Sequence, residues 1–210
     1  MITHALPRPR LFKKSLIPII VQDVLDACKS LQAPPKGEKR PEEDLSKQVY
    51  RQLLRIPRYT FGPLEPHIES CLPDLESRAD IRFSCGAGIH TYFIFEAKRL
   101  FVTHPGGKSA TLVTEYIHEG MMRFVVGRYA PHQQASAMLG YVFGVTVIEA
   151  KNKVSLAIES ERAKLCLKNG YKASTLPVTP PVDETHHDVQ GKPFTLYHLY
   201  AAVPPAAKTK

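Results

Sequence analysis

The sequence predicts an α/β domain with a mixed β-sheet core flanked by helices. Apolar residues at helical spacing and segments rich in β-forming residues follow one another in the order helix, hairpin, helix, strand, helix, strand. A hairpin is antiparallel, whereas a strand–helix–strand crossover needs a parallel neighbour, so we expect both kinds of pairing in one sheet. The 210 residues suffice for a single domain with a sizeable buried core.

The first helix of this domain is predicted over residues 41–56. A proline opens it, and three acidic residues follow where the helix dipole favours negative charge. Apolar residues then recur at helical spacing and form a stripe for burial, namely Leu45, Val49, Leu53 and Ile56. Residues 1–40 are predicted to form an N-terminal extension, with a short helix over residues 16–31 and a Pro-rich linker from residue 32.

The hairpin is predicted from two β-forming segments, residues 78–84 and 89–100, which flank a Gly-rich turn. No strand is predicted between the first helix and this hairpin. After the hairpin, the pattern indicates a helix, a strand, a second helix that stops at Asn169-Gly170, a Pro-rich loop and a final strand. These segments cover residues 110–126, 137–142, 146–167, 175–193 and 194–203, so the domain is predicted over 41–203 with a disordered tail at 204–210.

The hairpin carries a polar face in an otherwise apolar segment. Because side chains alternate along a strand, Glu96 and Lys98 share one face of the second strand. With a three-residue turn at residues 86–88, Asp80 is predicted to lie opposite Ile94 and diagonal to Glu96, on the same face. An even-length turn without a bulge would instead put Asp80 on the other face.

The pairing of Asp80 with Glu96 indicates a metal site. Two carboxylates a few ångströms apart repel each other, so folding alone gives no reason to bring them together, and a divalent cation resolves the conflict. Carboxylate oxygens and water are the ligands that Mg²⁺ or Mn²⁺ prefers. Such an ion can activate water and stabilise the charge on a phosphate under attack. Lys98 is expected to stay protonated beside the two acids and to stabilise the same charge.

The order Asp80, apolar strand, Glu96, Ala97, Lys98 resembles the motif of the PD-(D/E)XK nuclease superfamily, although Ala79 stands at the position of the motif's proline. The resemblance implies a restriction-endonuclease-like fold and metal-dependent hydrolysis of DNA phosphodiester bonds. It implies catalytic roles for Asp80, Glu96 and Lys98. It also implies that Asp80, Glu96 and the helix residue Glu42 hold Mg²⁺ or Mn²⁺, although Glu43 competes with Glu42 for that role.

The resemblance extends over about residues 41–203. The segments 116–129 and 138–142 are similar to uncharacterised nucleases of this class, several of them linked to phage defence. An alternative of another class stays open, namely a catalytically inactive nucleic-acid-binding or scaffolding subunit on the same fold. A homodimer and a separate partner protein are both open as well.

The charge balance favours a polyanionic partner. The formal net charge is +8 and the pI is about 9.3, and cations near phosphates release counterions when they bind nucleic acid. Arg123 and Arg128 are candidates for phosphate contacts, with ordinary surface arginines as the alternative. A second basic group is interpreted mainly as a solvated helix face: Lys151, Lys153, Arg162, Lys164 and Lys168.

Cysteine and hydropathy patterns give the expected location. The four cysteines are scattered without a CxxC pair, which suits a reducing compartment. No segment reaches the roughly 20 apolar residues of a membrane span, and acidic residues interrupt the N-terminal apolar run too early for a signal peptide. We therefore expect a cytoplasmic protein. The adjacent His186 and His187 are expected on opposite faces of an extended segment, a poor arrangement for metal ligands.

Overall fold

A computed structural model describes residues 11–34, 38, 40–70, 78–86, 91–103 and 109–205. Within this part of the chain the strands are β1 (Glu65–Ser70), β2 (Ala79–Ser84), β3 (Tyr92–Arg99), β4 (Phe101–Thr103), β5 (Ser109–Thr111), β6 (Ala135–Val142), β7 (Leu167–Ala173), β8 (Asp183–Val189) and β9 (Lys192–Ala202). The α-helices are α1 (Ile17–Cys28), α2 (Pro41–Leu53), α3 (Pro57–Thr60), α4 (Val113–Glu115), α5 (Met122–Val125) and α6 (Val147–Ser160). A 3-10 turn (Lys14–Leu16) precedes α1, and a π-helix (Tyr116–Met121) joins α4 to α5.

Seven strands form one mixed sheet in the order β1-β2-β3-β6-β9-β8-β7. The central pairs β3·β6 and β6·β9 are parallel, and the outer pairs are antiparallel. β4 and β5 pair separately as a two-stranded sheet. The prediction of an α/β domain with a mixed sheet flanked by helices is confirmed.

Helices cover both faces of the sheet. On one face, α1, α2 and α3 pack on apolar strand residues that include Ile81, Phe83, Phe93, Phe95, Leu139 and Leu199. On the other face, α4, the π-helix, α5 and α6 pack on Tyr92, Ile94, Met138, Leu196 and Tyr200. Residues 92–97 of β3 are therefore all buried, as expected for a strand enclosed from both sides. Among the described residues, no helix is long and apolar enough to cross a membrane.

The helix predicted near the N-terminus forms as α1, and it packs against the core. Ile20, Val21 and Val24 are fully buried, and the helix contacts α2 and β9. α1 thus contributes to the same core as α2 and β9, while the domain boundary at residue 41 stays a prediction. Part of the predicted linker, residues 35–37 and 39, and the predicted tail from residue 206 lie outside the described residues.

Among the described residues, five strands were not expected from the sequence, namely β1, β4, β5, β7 and β8. β1 lies where no strand was predicted, and β8 lies within the predicted Pro-rich loop. The last helix ends at Ser160 rather than near residue 167, and Asn169-Gly170 belongs to β7 instead of stopping a helix. β7 is a largely exposed edge strand, so it lacks the apolar alternation that marks a strand. β8 buries polar residues that satisfy one another by hydrogen bonds, so hydrophobicity does not reveal it.

Candidate active site

The hairpin of β2 and β3 has a longer loop than expected. Ile94 pairs with Arg82, not with Asp80, and Ser84 pairs with Tyr92. Residues 85–91 therefore connect the strands, seven residues by position rather than three. Residues 87 and 88 of the predicted three-residue turn lie outside the described part of the chain.

The longer loop keeps the parity that the site requires. Three and seven are both odd, so lengthening the loop shifts the pairing by two residues and leaves every side chain on its predicted face. The last ladder pair is Ile81 with Phe95, and the next position on each strand is Asp80 and Glu96. The carboxylates are thus directly opposite rather than diagonal, on one face of the sheet.

β2 and β3 separate at this position, and the Asp80 side chain bridges them. Its Oδ2 accepts a hydrogen bond from the backbone N–H of Ala97 at 2.7 Å, in place of a further ladder bond. The carboxylate of a short side chain is thereby fixed beside Glu96 by the backbone of the opposite strand. Strand separation therefore makes the space in which the two acids meet.

Glu96 is the most deeply buried member of the group, with 1% of its surface exposed. Its Oε1 accepts from Lys98 Nζ at 2.8 Å and from Arg123 Nη1 at 2.9 Å. Its Oε2 is buried and has no hydrogen-bond partner. A buried carboxylate oxygen without a partner is costly, so this atom marks a position where a cation or a proton would be bound favourably.

The electrostatics of the three groups follow from burial and proximity. Burial, reinforced by the negative charge of Glu96, raises the pKa of Asp80 well above its usual value. Burial also raises the pKa of Glu96, although Lys98 and Arg123 oppose this effect. Burial tends to lower the pKa of Lys98, but Glu96 and Asp80 outweigh it, and the pKa is raised overall. Lys98 is therefore protonated at neutral pH, as the sequence predicts.

Glu42 lies at the edge of this group. Its Oε1 accepts from the backbone N–H of Arg99 at 3.0 Å and lies 3.5 Å from Arg99 Nε. Its charge raises the pKa values of Asp80 and Lys98. Glu43 instead forms an ion pair with Arg40 at 2.8 Å. The start of α2 thus directs Glu42, not its neighbour, toward β3.

Arg123 is a member of the site that the sequence did not identify as such. Besides Glu96, its Nη1 contacts the Tyr129 hydroxyl at 2.8 Å, and that hydroxyl donates to the Arg78 carbonyl at 2.6 Å. Its Nη2 lies 3.8 Å from Glu119. The sequence suggested a phosphate contact or a surface arginine. The contact with a buried glutamate depends on how α5 meets the sheet, which no local pattern encodes.

The π-helix brings α5 close to the sheet. A Cβ added to Gly120 would overlap the Met138 side-chain end and lie 3.6 Å from Lys98 Cγ. Glycine at this position lets the helix approach β3 and β6 closely, and the end of the Met138 side chain would have to move to admit a Cβ. π-helical turns are rare and occur frequently at functional sites.

The donor set fits a hard divalent cation only in part. The Asp80 and Glu96 carboxylates converge, and Glu96 Oε2 has no hydrogen-bond partner that would compete with a metal ion. However, the described residues contain no group of three or more His, Cys, Asp or Glu side chains arranged to hold a metal ion. Mg²⁺ is commonly held by one or two carboxylates with water and substrate oxygens completing its shell. The arrangement therefore suits an ion that shares its coordination with substrate.

The predicted basic helix face is largely neutralised. Each of its cations lies within ion-pair distance of a carboxylate: Lys151 with Asp183, Lys153 with Glu149, Arg162 with Glu159, Lys164 with Glu161 and Lys168 with Asp188. Exposed pairs of this kind contribute little stability, but they reduce the positive potential of the surface. The solvated-face interpretation therefore suits this group better than a phosphate-binding role.

The two adjacent histidines serve the core rather than the site. His187 is buried and bonds Thr185 and the Leu165 carbonyl, both at 2.8 Å. His186 is half-buried and bonds Glu184 at 2.9 Å. The two rings have different environments, as alternation along β8 requires.

Comparison with protein-family models, with curated proteins and with solved structures finds no match to this chain. The chemistry that bears on function is that of the side chains gathered around Glu96, namely Asp80, Lys98 and Arg123.

Proposed function

We propose that this protein is a metal-dependent nuclease of the PD-(D/E)XK, restriction-endonuclease-like kind that hydrolyses phosphodiester bonds of DNA. The observation that carries the proposal is that Asp80 and Glu96 lie on one face, where Glu96 Oε2 is buried without a hydrogen-bond partner and a protonated Lys98 contacts Glu96 Oε1.

Stability alone does not account for this arrangement. Burial raises the pKa of both carboxyls, and the charge of Glu96 raises that of Asp80 further, so it costs free energy to ionise them in the fold. Strained electrostatics of this type is concentrated at functional sites, although structural ion-pair networks also produce it. The free Glu96 oxygen distinguishes the two cases, because a purely structural network would be expected to satisfy it.

Asp80 and Glu96 would hold Mg²⁺ or Mn²⁺, with Glu42 acting from the edge of the site, and the bound ion would supply charge stabilisation and an activated water. Lys98 keeps its proton and presents a fixed positive charge where a phosphate gains negative charge during hydrolysis. Arg123 and Lys98 offset part of the cost of burying the Glu96 charge. Tyr129 holds the Arg123 guanidinium in place.

The surrounding fold supports the same proposal. The elements follow one another in the order that the resemblance implies. Helix α2 directs Glu42 toward the site, the β2–β3 hairpin carries Asp80 and Glu96, and a crossover leads to the parallel strand β6. The net charge of +8 favours DNA as the substrate. From the same resemblance, we propose that the protein acts in the cytoplasm in anti-phage defence. It would act as a homodimer or with a partner protein.

Cleavage of plasmid and oligonucleotide DNA, with and without Mg²⁺ or Mn²⁺, tests the proposal. Lys98→Met keeps the side-chain volume and removes the charge, and it is expected to lower the cleavage rate about 10²–10³-fold, as for loss of one preorganised group. DNA binding should change little, since many phosphate contacts share it. Lys153→Met is the matched control, because Lys153 lies on α6 beside Glu149, and it should cleave like the parent.

One observation favours the inactive-subunit alternative. Glu96 is 1% exposed, and its Oε1 already holds two cations, so the site is closed and charge-compensated in this conformation. Under that alternative the parent binds DNA without cleaving it under any metal condition. A parent that cleaves only with a divalent metal, and a Lys98→Met variant that binds but does not cleave, would exclude it.

A further inference from the structure

A groove of about 320 Å³ opens beside the candidate site. It lies where the π-helix passes into α5 and the loop that follows, and its lining is mixed in character. The lining residues are His118, Glu119, Met122, Arg123, Val126 and Arg128. Its volume and mixed lining make it a candidate for binding part of a substrate.

Arg123 connects this groove to the candidate site. Its Nη1 lies 2.9 Å from Glu96 Oε1, and its Nη2 lies 3.8 Å from Glu119 in the groove wall. A single guanidinium therefore separates the groove from the buried carboxylates. The groove and the candidate site therefore share one cation.

The far side of the groove adds a second cation. Arg128 is exposed, and it follows Gly127, whose φ of 76° turns the chain after α5. Unlike Lys151 and Lys153 of α6, Arg128 forms no ion pair with a carboxylate of the described residues. Its charge is available to an anionic ligand.

The groove lining also includes two apolar side chains, Met122 and Val126. Val126 is 50% exposed and Met122 is half-buried. Apolar and sulfur-containing side chains accept the flat face of a base, while arginine forks bind phosphate oxygens. Two arginines with two apolar side chains complement one nucleotide of a polynucleotide strand better than an isolated phosphate or an apolar peptide.

We propose that this groove binds the nucleotide that adjoins the scissile phosphate on the cleaved DNA strand. Arg128 contacts the phosphate of this nucleotide, and its base lies on Met122 and Val126. Arg123 lines the groove and also contacts Glu96 of the candidate site. The inference rests on the proposed nuclease function and deepens it. Among the described residues that line the groove, Glu119 is the one acid, and it weakens binding because it repels the phosphate.

Two substitutions with opposite expected effects on DNA affinity test whether the groove binds the strand. With fluorescence anisotropy of a labelled single-stranded oligonucleotide in EDTA, Arg128→Gln should weaken binding roughly three- to tenfold and reduce the salt slope by about 0.7, the share of one phosphate contact. Glu119→Gln should tighten binding. Arg162→Gln is the matched control, because Arg162 is also an exposed arginine but forms an ion pair with Glu159 at 2.9 Å, and it should bind like the parent.

The outcomes separate the groove from the nuclease proposal. If the parent cleaves DNA, and Arg128→Gln raises KM with little change in kcat, the groove proposal is supported. Cleavage by the parent combined with unchanged binding in both groove variants overturns the groove and leaves the nuclease. Groove-dependent binding without cleavage leaves the groove and overturns the nuclease. A parent that neither binds nor cleaves overturns both.

Discussion

The Asp80 side chain accepts one hydrogen bond, which a neutral oxygen could accept equally well. Its negative charge, in contrast, is destabilised by burial and by the neighbouring Glu96. The Ala97 N–H needs only one oxygen from the side chain, whereas burial and Glu96 raise the pKa of the carboxyl well above its ordinary value. A carboxyl with a raised pKa in the folded state lowers the stability of the protein once the pH exceeds the unfolded value. An isosteric amide would keep the hydrogen bond and remove the charge.

Asp80→Asn is therefore expected to raise the free energy of unfolding at pH 7.5, on the order of 1 kcal/mol, the usual size of a single stabilising substitution, while abolishing cleavage. Asp183→Asn is the matched control. Asp183 accepts from Tyr171 at 2.7 Å and pairs with Lys151 at 2.8 Å, so its replacement should destabilise the fold by about 1–3 kcal/mol. Urea denaturation measures both. An Asp80→Asn variant as unstable as Asp183→Asn would show that Asp80 serves the fold.

Among the elements, the π-helix sets the distance between α5 and the sheet. Its Gly120 faces Met138 on β6 and Lys98 on β3, so the helix controls where the Lys98 stem and the Arg123 guanidinium lie. Interiors are packed closely enough that one added methyl group must displace a neighbour.

Gly120→Ala is expected to destabilise the protein by about 1–3 kcal/mol, the cost of overpacking, and to lower cleavage because the Lys98 stem is displaced. Met138→Ala opens space at the same contact and alone should cost about 2–5 kcal/mol. In the double variant the two losses should not add, because the new methyl group occupies the vacated volume. Thermal or urea denaturation of all four proteins checks this, and simple additivity would contradict the proposed contact.

The packing of α1 against the core can be tested by substitution, since the sequence alone suggested that this helix lay outside the domain. Ile20 is fully buried against the core, whereas Ile19, one residue earlier on the same helix, is 37% exposed. Ile20→Ala should cost about 2–5 kcal/mol. Ile19→Ala, with the same change in side chain and helix propensity, should cost less than about 1 kcal/mol. Equal effects in urea denaturation would mean that α1 does not pack as described.

Across the whole molecule, a buried polar chain joins the π-helix to β8 and β9. His187 Nδ1 must donate to the Leu165 carbonyl, so its Nε2 accepts from the Thr185 hydroxyl. Thr185 in turn accepts from His198 Nε2, which leaves His198 Nδ1 to accept from the Tyr116 hydroxyl. The chain is complete only while both histidines are neutral. Burial enforces this, since it lowers the pKa of His198 to about 3 and also lowers that of His187.

The buried histidines should therefore lower the stability of the protein as the pH decreases from 7 to 5, whereas the raised pKa values of Asp80 and Glu96 act in the opposite direction. The unfolded histidines take up protons near pH 6.5, whereas folded His198 stays neutral until about pH 3, so protonation of this residue favours the unfolded chain in this window. His198 should contribute a slope that approaches about 1.4 kcal/mol per pH unit, and His187 should add to it in the same direction. His198→Gln should remove its contribution, and the exposed His118→Gln should not. Urea denaturation at several pH values measures it, and an unchanged slope in His198→Gln would contradict this account.

The sequence by itself determined the fold class, the helix α2, the hairpin and the shared face of Asp80, Glu96 and Lys98. These features follow from periodicity and parity, which are local properties of the chain and survive an error of two residues in the loop length. The family resemblance and the nuclease function stay predictions.

The tertiary structure decided what depends on contacts between distant segments. It added α1 to the core, formed β7 and β8 from polar residues, placed Arg123 on Glu96 and opened the groove beside it. Polar residues are buried only where partners from other elements satisfy their hydrogen bonds. Those partners lie far apart in the sequence, as with Thr185 and His198 or Glu96 and Arg123, so no local pattern predicts them and only the packed fold brings them together.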